Sequence, residues 1–119
     1  MAFNEDTVQR IREILQQKHV DFFEKRMFGG ICFMVDEKIC CATRIDKNSG
    51  TDLLLCRISE TNYVTALKRD DVIPMGKSEN KMKGFVFITE EGFISNKDLV
   101  NWIQLCIEFN PFAKASKKK

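Results

Sequence analysis

Histidine occurs once in this chain of 119 residues, as His19, and tryptophan and tyrosine occur once each. With so little histidine, mixed Cys/His metal sites and histidine-activated nucleophiles have almost no material to be built from. Cysteine is present five times, at 32, 40, 41, 56 and 106, yet no Cys-x-x-Cys spacing occurs. The number is odd and the neighbours are apolar, as in Ile31-Cys32-Phe33-Met34 and Leu105-Cys106-Ile107. Such thiols read as buried, reduced packing residues in a reducing compartment. Cys40 and Cys41 are adjacent, so on a regular strand they point to opposite faces. Only Cys32 and Cys41 could approach across a hairpin. Neither a metal nor a cofactor is expected.

No apolar run approaches the roughly 20 residues of a membrane helix. The opening Met1-Ala2-Phe3-Asn4-Glu5-Asp6 is acidic and reads as neither signal nor transit peptide, so a cytoplasmic protein is expected. Proline occurs only twice, and neither a linker nor a repeat interrupts the pattern. One domain over residues 1–110 and a basic tail over 111–119 are therefore expected. The composition, 44% hydrophobic and 30% charged, excludes disordered and fibrous classes. The net charge of +2 hides an asymmetry. Lys114, Lys117, Lys118 and Lys119 crowd the last six residues, and with those four set aside the rest carries −2. A protein that tracks phosphates carries its positive charge on a folded face; here it lies on the tail.

Asp6 as N-cap with Gln9 three residues on predicts a helix over Thr7 to about Lys18, with Val8, Ile11, Ile14 and Leu15 inward. His19, at its end, reads as a C-terminal cap or a surface residue. Three strand-like stretches follow: Val20 to Met27, Gly30 to Val35 and Lys38 to Ile45. Gly29-Gly30 permits a tight reversal between the first two. A two-residue Asp36-Glu37 loop would oppose Phe33 to Cys40 and Cys32 to Cys41, but Glu37 is a poor turn residue and a slip of one is open. Asp52 to Ile58 reads as a strand buried on both faces. Ser59 caps a short helix to about Leu67. Residues 70–83 read as irregular. Gly84 to Ile88 is a fifth strand, and Phe93-Ile94 a short sixth. Ser95 caps a last helix in which Leu99, Trp102, Ile103, Cys106 and Ile107 form one stripe. The class is α+β, a two-layer sandwich with one antiparallel sheet of five to six strands and helices largely on one face.

Arg26-Met27-Phe28-Gly29-Gly30, then Phe33-Met34-Val35-Asp36, resembles the opening motif of the N-terminal domain of the TfoX/Sxy family of competence regulators. Asp52-Leu53-Leu54-Leu55, Pro74-Met75, Met82-Lys83-Gly84-Phe85-Val86 and Ser95 through Trp102 are similar to that family's later segments, in order. The resemblance spans about residues 6 to 109. It implies a secretion-chaperone-like two-layer fold, a cytoplasmic setting and a link to transcriptional control of DNA uptake, but no known reaction. Glu37 stands where the family usually has glycine. The second, helical domain of full-length regulators is not in this sequence.

Paired acids such as Asp70-Asp71 and Glu90-Glu91 fall in turns, where they are solvated rather than catalytic. Gly29-Gly30 lacks the following helix of a phosphate loop. Arg26 and Lys83, each beside Met, aromatic and Gly residues, are candidate anion or carboxylate contacts, with Met27, Phe28, Gly29, Gly30 and Met75 around them. Such charges also protect sheet edges from aggregation. The expected function is a non-catalytic regulatory or protein-interaction module whose partner is another protein. The alternative is a small-molecule binder or enzyme with an anion pocket near Arg26 and Lys83. Any nucleic-acid contact is expected to be weak, non-specific and confined to the tail.

Overall fold

The computed structural model describes residues 3–27, 29–74 and 84–113. Helix α1 (Glu5–Gln17) leads into strands β1 (Phe23–Met27), β2 (Gly30–Val35), β3 (Lys38–Ile45) and β4 (Asp52–Arg57). Helix α2 (Glu60–Ala66), strands β5 (Val72–Pro74) and β6 (Phe85–Thr89), and helix α3 (Asn96–Phe109) complete the fold. One six-stranded sheet runs β1-β2-β3-β4-β6-β5, and every neighbouring pair is antiparallel. Among the described residues no helix is long and apolar enough to cross a membrane.

The sheet has two unlike faces. On one, α1, α2 and α3 bury Ile11, Leu15, Tyr63, Leu99, Trp102 and Ile103 against Phe33, Leu54, Val86 and Ile88. α1 meets α3 through the stripes expected of them, with Ile11, Leu15, Trp102 and Ile103 all in that core. On the other face a smaller cluster of Cys32, Met34, Ile39, Ala42 and Leu55 is bordered by Met27, Phe85 and Phe87, and no described helical residue joins it. β4 serves both faces, which explains its unbroken apolar run.

Four details differ from the sequence reading. α1 starts earlier, because Asn4, not Asp6, is the N-cap; its side chain accepts from the Asp6 amide at 2.8 Å. That places Asp6 in the first turn, where a carboxylate favours the helix dipole. β1 begins at Phe23, because residues 18–20 are used to end the helix. The sixth strand is Val72–Pro74, and Phe93-Ile94 forms no strand. Three residues with a proline at the edge carry little strand signal, and β5 is made by its pairing with β6. Finally, the folded part runs past residue 110: a 3-10 turn spans Asn110–Phe112, and Ala113 is buried.

The β2–β3 hairpin combines both registers considered for it. Val35 opposes Lys38 and Met34 opposes Ile39, as a two-residue loop demands. Beyond that the ladder shifts, and Phe33 opposes Cys41 while Cys32 opposes Ala42. Cys40 is the extra residue of a β-bulge. The bulge turns Cys40 and Cys41 to the same, helix-covered side, so the alternation assumed for that pair fails there. Cys32 lies on the opposite face, away from the Cys41 approach expected of a simple hairpin.

Candidate interaction surface

The strand positions of the second face follow from the register. Phe23, Lys25 and Met27 lie there on β1, Arg44 on β3, Leu53 and Arg57 on β4, Phe85 and Phe87 on β6, and Ile73 on β5. Two guanidinium groups lie over the β6 rings. Arg57 stands 5.1 Å from the Phe85 centroid and Arg44 5.0 Å from that of Phe87, both within cation–π range. Arg57 opposes Phe85 directly, whereas Arg44 reaches across β4. Burial lowers the Arg57 pKa from its ordinary value; no carboxylate among the described residues counters that.

Shallow grooves flank the two stacks. One, of about 300 Å³, runs over Leu53, Ile73 and Phe87 beside Arg44. The other, of about 280 Å³, lies over Phe85 and Phe109 beside Arg57. At the margins of the face, large apolar side chains reach solvent: Phe23 is 51% exposed and Ile73 46%.

The residues singled out from the sequence are not gathered into one site. Arg26 points to the helix side of β1 and lies 5.6 Å from the Phe3 ring centroid. It lines a polar cleft of about 310 Å³ that also contains Glu5, Glu24 and Arg12. Arg12 and Glu24 are paired there by two hydrogen bonds, of 2.5 and 2.8 Å. Met27 faces the other way, toward the second cluster. Gly29 takes the positive φ, 76°, of the β1–β2 turn. Gly30 has a packing role, since a Cβ there would stand 2.0 Å from the Thr43 carbonyl oxygen. Phe28, Met75 and Lys83 lie outside the described residues. Sequence reasoning missed Arg44 and Arg57; the pairing of β3 with β4 and of β4 with β6, not alternation within a strand, places them with Phe85 and Phe87.

Elsewhere, Arg69 is clamped by Asp71 through two 2.8 Å hydrogen bonds and lies over the Trp102 ring. The indole N–H donates to the Gly92 carbonyl at 3.0 Å. The five cysteines are all buried and free. Burial pushes the Cys32 thiol up to about 11. Cys106 is raised well above its usual range by burial and by the neighbouring thiol of Cys56, and Cys41 by its hydrogen bond with Cys40 and by burial. Thiols in that state are poor nucleophiles. No group of three or more metal-ligating side chains occurs among the described residues.

These features define a small α+β domain with one helix-covered sheet face and a second, arginine-bearing face left open only by the described helices, its central side chains Cys32, Met34 and Leu55 being buried. The profile of the TfoX N-terminal domain matches residues 13–110, and the chain belongs to that family. No curated protein and no solved structure shows significant similarity to it.

Proposed function

We propose that the domain is a non-catalytic, cytoplasmic interaction module of regulatory type, and that the open sheet face is where another protein docks. The observation that carries this reading is the composition of that face: aromatic, methionine and arginine side chains, with Phe23 and Ile73 exposed at its margins. Those residue types are enriched at protein interfaces. The test is capture from native cytosol with the wild type and with a Phe23→Ser/Ile73→Ser double variant. Both positions are half-exposed, so the fold should survive the change. A protein retained by the first and lost by the second, whose addition slows amide exchange in β4 and β6, supports the reading. Retention that ignores the double variant removes it.

The cleft at Arg26 supports a second reading, an anion pocket, only weakly: Glu5 and Glu24 line it too, and Arg12 is already paired. For nucleic acid, the reading remains weak and non-specific binding through Lys114 to Lys119. Deleting those residues should abolish duplex DNA binding at physiological salt. Persistent preference of the shortened chain for one sequence would refute this.

A further inference from the structure

The two edges of the sheet are unlike. β5, at one end, is three residues long and closes on Pro74, which has no amide hydrogen to extend a ladder. β1, at the other end, has five residues, no proline and an unbroken register with β2. The backbone groups that an edge strand turns away from its sheet have no ladder partner, and a further strand can take them. Phe23, Lys25 and Arg26 are exposed along this edge. Proteins blunt such edges with proline, bulges or charge. β1 uses charge alone, and its charges are of both signs: Glu24, Lys25 and Arg26.

The order of those residues is complementary to itself. When two antiparallel copies of one edge strand are related by a twofold axis perpendicular to the sheet, opposed residues share a face. The axis must then pass at a residue, not between two. With the axis at Lys25, all five residues pair. Phe23 opposes Met27 of the second copy, Glu24 opposes Arg26 of the second copy, and each pair occurs twice. Apolar pairs and opposite charges directly across a ladder are favourable. Only Lys25 meets its own copy, and its flexible stem lets the two ammonium groups diverge. With the axis at Glu24 or Arg26, that residue would meet itself and only three of the five would pair.

The surroundings agree with that register. Met27 borders the Cys32 cluster, and its neighbour on β2 is Gly30, which has no side chain to cover it. Phe23 of a second copy would cover it. Glu24 and Arg26 lie on the other face, beside the polar cleft. Arg12 holds the Glu24 carboxylate through both oxygens, and each oxygen keeps a second acceptor site for an incoming guanidinium. No carboxylate among the described residues forms an ion pair with Arg26.

We infer that β1 is a self-association edge: it pairs antiparallel with β1 of a second copy about an axis at Lys25, joining two six-stranded sheets into one. The helices of both copies would cover the same side of the joined sheet. The inference goes beyond the docking reading above and does not depend on it.

The test is sedimentation velocity of the full chain from micromolar to millimolar concentration. A reversible monomer–dimer equilibrium is expected. Arg26→Glu sets carboxylate against carboxylate in both charged pairs and should raise the dissociation constant about tenfold. Lys25→Thr removes the like-charged pair and should lower that constant several-fold. Ile73→Ser, at the opposite edge, should leave it unchanged. Amide exchange in β1 should slow as concentration rises, and thermal unfolding checks that each variant is folded. A chain that stays monomeric throughout would overturn the inference. So would a dimer that Ile73→Ser dissociates and Arg26→Glu does not, which would place the contact on the open face. Exchange in β1 that slows only when a different protein is added would also overturn it, by assigning the edge to a foreign strand. The capture experiment decides the docking reading separately, so either can fail without the other.

Discussion

Glu37 sits at φ 64° and Asp36 at φ 57°, the left-handed geometry of a two-residue hairpin turn. Glycine adopts this conformation without the steric cost that a Cβ imposes. Glu37→Gly is therefore expected to stabilise the protein by up to about 1 kcal/mol, after the entropy lost by glycine is set against the relieved strain. Urea unfolding with an unchanged slope and a higher midpoint is the measurement; a lower midpoint would show that the Glu37 side chain has a role of its own. Asp52 is the other residue with a measurable signature. It is buried between α1 and the sheet, accepting from Thr7 Oγ1 and, at 3.1 Å, from Thr43 Oγ1. Burial raises its pKa; the two hydroxyls oppose that but do not cancel it. A carboxyl group with a raised native pKa holds its proton more tightly when folded. Its contribution to stability therefore falls as pH rises from the unfolded value, near 4, through the raised one. Asp52→Asn should flatten that fall. Urea midpoints of the wild type and variant should converge toward pH 4 and separate in the variant's favour toward neutrality. A wild type that gained on the variant with rising pH would contradict this.

At the scale of elements, the helix ends were only partly legible. Ser59 and Ser95 cap α2 and α3 as their sequence contexts announce, each accepting from the backbone amide three residues on. The start of α1 does not follow from the sequence, because Asn4 and Asp6 are both good caps and the choice between them depends on where the chain enters the helix. Its end is a Schellman motif: the Val20 amide donates to the Leu15 carbonyl and the His19 amide to that of Gln16, with His19 at φ 59°. His19 thus fills the C-terminal cap position expected for it. His19→Gly should raise stability by about 1 kcal/mol, because a non-glycine residue at this position bears the left-handed cost. The check is thermal unfolding beside His19→Ala, which should be neutral or slightly destabilising. The strands with strong alternation or unbroken apolar runs were read nearly to the residue. β5 was not, because its identity comes from the partner it pairs with, and no local periodicity marks three residues ending in proline.

For the whole molecule, the apolar residues are evident from the sequence, but the face that each one shares is not. The two-layer class, the single antiparallel sheet and the inward stripes of α1 and α3 follow from periodicity alone. The candidate surface does not, because it depends on the register of four strands and on a bulge that moves β3 by one position. Arg26 drew notice through its motif neighbours, while Arg44 and Arg57 gain significance only once β6 lies beside β4. The thiols offer a test of how rigidly this assembly is held. All five are buried, and those whose shifts are resolved sit above the ordinary thiol range. Reaction of the native protein with an aromatic disulfide reagent should therefore be slow at all five sites. It should accelerate with denaturant in step with unfolding, until five thiols per chain titrate. One thiol labelled rapidly in the absence of denaturant would mark a local opening at that strand.

The bulge at Cys40 makes β3 unusually permissive to loss. On the turn side of Cys40, Ile39 faces the open side; just past it, Cys41 faces the helices and Ala42 the open side again. Removing Cys40 would leave Ile39, Cys41, Ala42 and Thr43 alternating without a break, each on the face it already occupies. A deletion within a central strand ordinarily inverts everything beyond it. Here it would join two segments already in phase and leave a gap the size of one small side chain. The hairpin therefore has two solutions one codon apart, a kinked one with the extra thiol and a straighter one without it. The choice between them would bend or flatten the sheet beneath Arg44 while leaving the side-chain order of both faces intact.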